Sequence, residues 1–172
     1  MNLTHILPET LRACFTITEV DSAQFLAGDL FRRKFGHPAP DIPRHVVALY
    51  RDGAGALHVA GFSHMLPFGD VYLSGGSCTS GDTLRRMDAS QLQTLQAAGG
   101  VWYLILKYAF AKFADDCDAF FGHCGDARAL VVAQEAGFVK LEHEHLIAHW
   151  HKPLHENVRR ALIAKVHALG PF

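Results

Sequence analysis

Two adjacent glycines, Gly99 and Gly100, stand immediately before an apolar run from Val101 to Phe110. Glycines at a helix start leave its first N–H groups uncovered by any Cβ. Four such groups lack an intrahelical partner, and the helix dipole favours negative charge beside them. The chemistry on offer is the binding of a phosphate. Gly-Gly pairs by themselves are most often turns, so this reading depends on the elements around them. A second group with chemical potential is His143, His145, His149 and His151. In one continuous strand, residues of equal parity share a face, and neutral imidazoles there suit zinc or nickel. Glu142 and Glu144 have the opposite parity and supply no carboxylate to that face. No required metal is therefore expected. The cysteines, Cys14, Cys78, Cys117 and Cys124, lack paired short spacings, which argues against a zinc knuckle or a disulfide framework.

The elements that must position these residues read as follows. Phe15 to Val20 alternates as a strand, and Asp21-Ser22 offers a cap for a helix over 23–33 that ends near Gly36. Pro38, Pro40 and Pro43 make the next segment a loop. Strands are expected over 45–50 and 57–66, joined by a turn at Asp52 to Gly55. A third strand begins at Val71 and continues through Ser77-Cys78-Thr79-Ser80, with Gly75-Gly76 marking a bulge or a close backbone approach. From Gly81 to Ala98 runs a long connection that contains a short helix capped by Asp88. It reads either as a lid or as a longer surface connection. The helix that follows has apolar residues around most of its circumference, so most of it is buried. It stops near Asp115-Asp116. A buried strand at Ala119 to Gly122 and a helix from Asp126 to Ala136, closed by Gly137, come next. The segment 139–151 reads as a last strand, and 154–169 as an amphipathic helix docking on the sheet or on a second subunit.

In this order of parts the chain resembles the GNAT acyltransferases, which bind acyl-coenzyme A. Their pyrophosphate loop has Gln or Arg, two residues, Gly, one residue, then Gly or Ala; Gln96 and Gly99 match, and Val101 stands at the last small position. Their later helix reads Asn, two residues, Ala, three residues, Tyr, three residues, Gly-Phe. Here Asp126, Ala129, Ala133, Gly137 and Phe138 fall at that spacing, with Asp for Asn and Ala for Tyr. The resemblance implies an α/β (α+β) fold with a mixed, mostly antiparallel central sheet flanked by helices and a C-terminal helix. It implies acetyl-coenzyme A or another acyl-coenzyme A as co-substrate, with Gln96, Ala98, Gly99, Gly100 and Val101 at the pyrophosphate, Ser77 and Thr79 along the pantetheine arm, and Asp126 and Ala129 beside it. The implied reaction is acyl transfer to a small-molecule amine. A tyrosine usually protonates the departing thiolate, and Ala133 occupies that position. Of the ionisable residues nearest the implied cleft (Cys78, Cys124, His123 and His64), Cys78 and His123 are the candidates to replace it, and a cysteine beside a histidine could instead act as a nucleophile. A non-catalytic acyl-coenzyme A-binding module that kept the loop and lost the acid is the second reading.

Composition sets the outer limits. The 172 residues fit one domain, 49% of them are apolar, and the net charge of −1 argues against a nucleic-acid partner. Lys107 and Lys112 interrupt the longest apolar segment, so no membrane span is expected, and the N-terminus lacks the pattern of a signal peptide. A cytoplasmic protein is the expectation, with a homodimer left open by the C-terminal helix.

Overall fold

In the computed structural model, which describes residues 3–172, seven strands form one sheet. They are β1 (Phe15–Val20), β2 (His45–Arg51), β3 (Leu57–Phe68), β4 (Val71–Thr79), β5 (Ala119–His123), β6 (Val139–Lys140) and β7 (Leu146–His149), in the spatial order β1-β2-β3-β4-β5-β7-β6. Every neighbouring pair is antiparallel except β4 and β5, which run parallel. The helices are α1 (Gln24–Phe35), α2 (Gly81–Leu84), α3 (Ala89–Ala97), α4 (Gly100–Phe113), α5 (Ala127–Ala136) and α6 (Glu156–His167). The result is the expected mixed, mostly antiparallel sheet with a C-terminal helix.

Alternation along the strands decides which helix covers which face, because successive side chains point to opposite sides. Val46 and Ala48 of β2, Tyr72 of β4, Phe120 of β5 and Ile147 of β7 pack under Leu104, Ile105 and Ala109 of α4 and Ala133 and Ala136 of α5. Their neighbours turn the other way. Val47, Phe62 and Cys78 meet Ala27 and Phe31 of α1, while Val71, Leu73, Phe121, Leu146 and Ala148 meet Leu162 and Val166 of α6. Helix α6 thus docks on its own sheet. Helix α4 is buried on most sides, as its apolar circumference requires: seven of its residues are buried, among them Leu106 and Phe113.

Four expectations from the sequence need correction. The first helix begins at Gln24 with Ala23 at its N-cap and no side-chain cap, so neither Asp21 nor Ser22 caps it. The connection from Gly81 to Ala98 runs over the surface, as one of its two readings has it, but part of it is packed into the core. Thr83, Met87 and Leu95 are buried, the Thr83 hydroxyl donates to the Val59 carbonyl at 2.6 Å, and the Tyr50 hydroxyl donates to Gln91 Oε1 at 2.9 Å. Its second helix, α3, carries the capping box Asp88–Gln91, as the sequence suggests, and the one-turn α2 before it, capped by Ser80, was not foreseen.

The segment 139–151 is not one strand. It is a hairpin of β6 and β7 whose connecting residues 141–145 are irregular, and His145 has φ 62°. The four histidines therefore do not share a face. His143 stacks on His167 with centroids 3.7 Å apart, and His149 stacks on Phe110 at 3.9 Å. His151 Nε2–H donates to the carbonyls of Ala114 and Cys117, and His145 lies against His123. One-dimensional parity fails once a chain reverses. The expected C-terminal helix also forms, but shorter than 154–169.

Candidate active site

The parallel seam between β4 and β5 aligns Val71 to Ser74 with Ala119 to Gly122 and then stops. Beyond Ser74, β4 keeps its pairing with β3 but gains no partner on the β5 side. A register shift between Phe62 and His64 puts a bulge opposite Gly75 and Gly76, as the glycine pair suggested. The strands part, and a cleft of about 400 Å³ opens between Ser74, Gly75, Gly76 and Ser77 on one side and Gly122, His123, Cys124 and Asp126 on the other. Next to it lies a second cavity of about 350 Å³ bounded by Ser77, Cys78, Thr79, Gly99, Gly100, Val101, Arg128 and Ala129. Lys34, Ser77, Trp102 and Ala129 line both, so the two form one groove running from the parted strands to the start of α4.

The glycine-led helix start is built for this position. Gly99 is the N-cap residue with φ 92°, and Gly100 follows with φ 83°, a region that disfavours side chains. A Cβ placed on Gly100 would meet nothing within 4 Å, so the space in front of it is open. Among the described residues, the N–H groups of Gly100, Val101 and Trp102 make no hydrogen bond to backbone carbonyls outside the helix, in keeping with a helix start. Lys34 and Arg128 bring two cationic side chains to the same groove. An anion lodged there meets free donors, a favourable dipole and positive charge at once.

Most of the residues singled out in the sequence meet in this groove. Gly99, Gly100, Val101, Ser77, Thr79, Asp126 and Ala129 all line it. Asp126 also caps α5, its Oδ1 accepting the Ala129 N–H at 2.8 Å. Two do not line it. Gln96 is exposed and contributes its carbonyl to the Gly99 N–H at 3.0 Å, while Ala98 ends α3. Their part is to shape the turn that presents Gly99.

Cys78 and His123 lie in different parts of the groove, one beside Gly99 and the other beside Gly122. No hydrogen bond or ring contact joins Cys78 to a histidine among the described residues, so an activated cysteine–histidine pair is not formed. Burial pushes the Cys78 thiol up to about 11, with Lys34 opposing, and it remains protonated at neutral pH. His123 is half-buried, and its basicity is lowered first by burial and then by His145, with Glu144 acting the other way. Ala133 is fully buried in the core and lines neither cavity.

Sequence reasoning missed Lys34, Trp102 and Phe172 as groove residues. Nothing local marks Lys34 or Phe172; they arrive by the packing of α1 and of the tail after α6. Trp102 carried a signal, being the third residue of a glycine-led helix. Its indole N–H is buried and has no hydrogen-bond partner among the described residues.

No protein-family model and no curated protein sequence matches the chain. A solved structure does. The ribosomal-protein-S18-alanine N-acetyltransferase from Escherichia coli superposes with a TM-score of 0.53 at 12% sequence identity, covering 83% of this chain and 97% of that one. The fold is that of the GNAT N-acetyltransferases. At such low identity the likeness speaks for the GNAT fold alone. Among the described residues no helix is long and apolar enough to cross a membrane.

Proposed function

We propose that the chain is an acyl-coenzyme A-dependent N-acyltransferase that moves an acyl group, acetyl in the simplest case, to a small-molecule amine. The observation that carries this reading is the groove itself. It joins an open, glycine-lined helix start to a gap between two parallel strands with an unpaired edge. An acyl-coenzyme A has a matching order of chemistry: pyrophosphate, an amide-bearing arm, then a thioester. Gly100, Val101 and Trp102 offer N–H groups to the phosphates, with Lys34 and Arg128 nearby. The unpaired edge of β4 from Gly75 to Thr79 offers backbone groups to the arm's amides.

The reaction needs a neutral amine, a polarised thioester carbonyl and a proton for the departing sulfur. The chain's contribution is to hold the acyl group between β4 and β5, out of bulk water, and to exchange protons there. His123 and Cys78 are the side chains proposed to supply the proton in place of a tyrosine. Cys78 qualifies only as a donor, since its thiol stays protonated. A coenzyme A thiolate also leaves tolerably unaided, and losing a general acid costs about 10²–10⁴-fold. A slow enzyme follows rather than an inert one.

The test is calorimetric titration with coenzyme A and acetyl-coenzyme A, followed by a thiol-release assay over a panel of amines. The panel includes peptides with free N-terminal alanine, because the E. coli structural neighbour is named for that acceptor. Binding with turnover on a small amine supports the reading. Turnover on peptides alone moves the acceptor to proteins. Binding without turnover on any acceptor favours a non-catalytic acyl-coenzyme A module, for which the burial of Ala133 speaks. Absence of binding sinks both.

A further inference from the structure

Where β6 turns into β7, the chain holds His145 at φ 62°. It is the one non-glycine residue with positive φ among the described residues. That conformation is strained for an L-residue of this kind, and it persists only where surrounding contacts hold it. The imposing contact is visible. The carbonyl of His145 accepts the Cys124 N–H at 2.8 Å, tying the hairpin turn to the end of β5. The consequence is that the His145 ring stands edge-on to the His123 ring, centroids 5.7 Å apart. The Nε2 of His145 in turn lies 3.4 Å from Glu144 Oε1. His123 faces the cleft between β4 and β5. His145 and Glu144 face a separate cavity of about 430 Å³, which borders the cleft through Cys124, Gly125, Asp126 and Ile147. Three titratable side chains thus form a file from the proposed reaction centre to the surface, where the Glu144 side chain is 88% exposed.

Acyl transfer to an amine has a proton surplus that such a file can carry. An acceptor arriving as an ammonium must lose one proton before its lone pair can form the C–N bond. As the C–S bond breaks, a second proton from the same nitrogen ends on sulfur. Ammonium and thioester become amide, thiol and one free proton, and that last proton must leave a cleft walled by protein. We propose that His145, backed by Glu144, is the proton outlet of His123, taking the acceptor's surplus proton from the cleft to solvent. The inference rests on the acyltransferase reading above, and on His123 serving the nitrogen before it serves the sulfur.

The surroundings favour transfer in that direction. Beside His123 stand Cys124, Asp126 and Lys34 of the cleft wall and the ring of Phe172 at 6.0 Å. Beside His145 stand Glu144, with Glu142 and Lys140 on the same cavity wall, and Gly125 under its ring. Glu142 pairs instead with His143, whose ring is stacked on His167 of α6. Burial weakens the hold of His123 on a proton, and Glu144 stands beside the next ring toward the surface.

The experiment compares the parent with His145→Gln and Glu144→Gln, both at exposed side chains, using the amine that gives the fastest thiol release. Acyl-coenzyme A affinity by calorimetry is the control and is expected to match the parent. For His145→Gln, kcat/KM for the amine should fall by about tenfold or more near pH 7. The deficit should close near pH 9.5, where more of the amine arrives neutral, and added imidazole should restore part of it at pH 7. Glu144→Gln should show the same pattern more weakly. A His145→Gln variant that follows the parent's pH profile throughout overturns the outlet and leaves acyl transfer standing. A parent that binds no acyl-coenzyme A, or binds it without turnover on any amine, overturns the outlet together with the reading beneath it.

Discussion

Gly99 and Tyr103 are packed so closely that a Cβ on the glycine would stand 2.6 Å from the tyrosine Cγ. The ring covers the N-cap from the side, and the glycine's φ of 92° lets the chain turn beneath it. Gly100, one residue on, has the opposite surroundings, with open space where a side chain would go. One glycine is there for the fold and the other for whatever enters the groove.

That division is testable. Gly99→Ala should lower the unfolding free energy by about 1–3 kcal/mol through strain and overlap with Tyr103, read by urea denaturation. Gly100→Asp adds a side chain and a negative charge where a phosphate is proposed to bind. It should reduce coenzyme A affinity at least tenfold while the molecule stays folded. Unchanged affinity in a calorimetric titration would remove α4 from the phosphate site.

His64 gives a prediction about acid. Its ring lies against the Gly75-Gly76 bulge and Phe62, its Nδ1 is buried with no hydrogen-bond partner among the described residues, and His45 stands opposite it across the strand pair. Burial, reinforced by His45, pushes its pKa down to about 4 from an ordinary 6.5. The unfolded chain then binds a proton that the folded chain refuses. Stability is full above about pH 6.5 and falls as pH drops toward 4, by ~3 kcal/mol from this residue. His45, His123 and His149 are shifted in the same direction and add to the trend. Denaturation midpoints between pH 7 and 4.5 should fall steeply in the parent and less so in His64→Gln; parallel slopes would acquit His64.

Cys78 offers a chemical probe. A thiol 6% exposed and held near 11 should resist iodoacetamide in the native protein at pH 7.5 and react on unfolding. Cys78→Ser should leave coenzyme A binding within about threefold of the parent. If His123→Ala and Cys78→Ser each keep full turnover, neither supplies the proton, and unaided departure of the thiolate becomes the better account.

Ala133 tests the family comparison directly. Its methyl group is sealed between α5 and the sheet, so Ala133→Tyr must displace packed neighbours such as Phe138 or Ile147. The expected result is a loss of about 1–3 kcal/mol or more and no gain in turnover. Faster thiol release would mean that the ring finds its way into the cleft.

Local sequence rules read much of this molecule correctly because the groups concerned lie close along the chain. The capping box of Asp88 and Gln91, the turn built on Asp52, the bulge at Gly75-Gly76, the buried α4 and the glycine stops at Gly36 and Gly137 are all decided within a few residues. So is the start of α4, where two glycines with positive φ set the backbone. The tertiary structure decided the rest. Gln91 accepts the Tyr50 hydroxyl across 41 residues and ties the long connection before α4 to the core. Lys34 reaches the groove only because α1 packs against β3 and β4. The histidines of 143–151 lost their common face because the chain reverses between β6 and β7, where the Cys124 N–H donates to the His145 carbonyl and the His145 ring lies against His123. Parity along a strand is a local property, whereas the point at which a strand must end is set by the backbone partners that the rest of the chain brings to it.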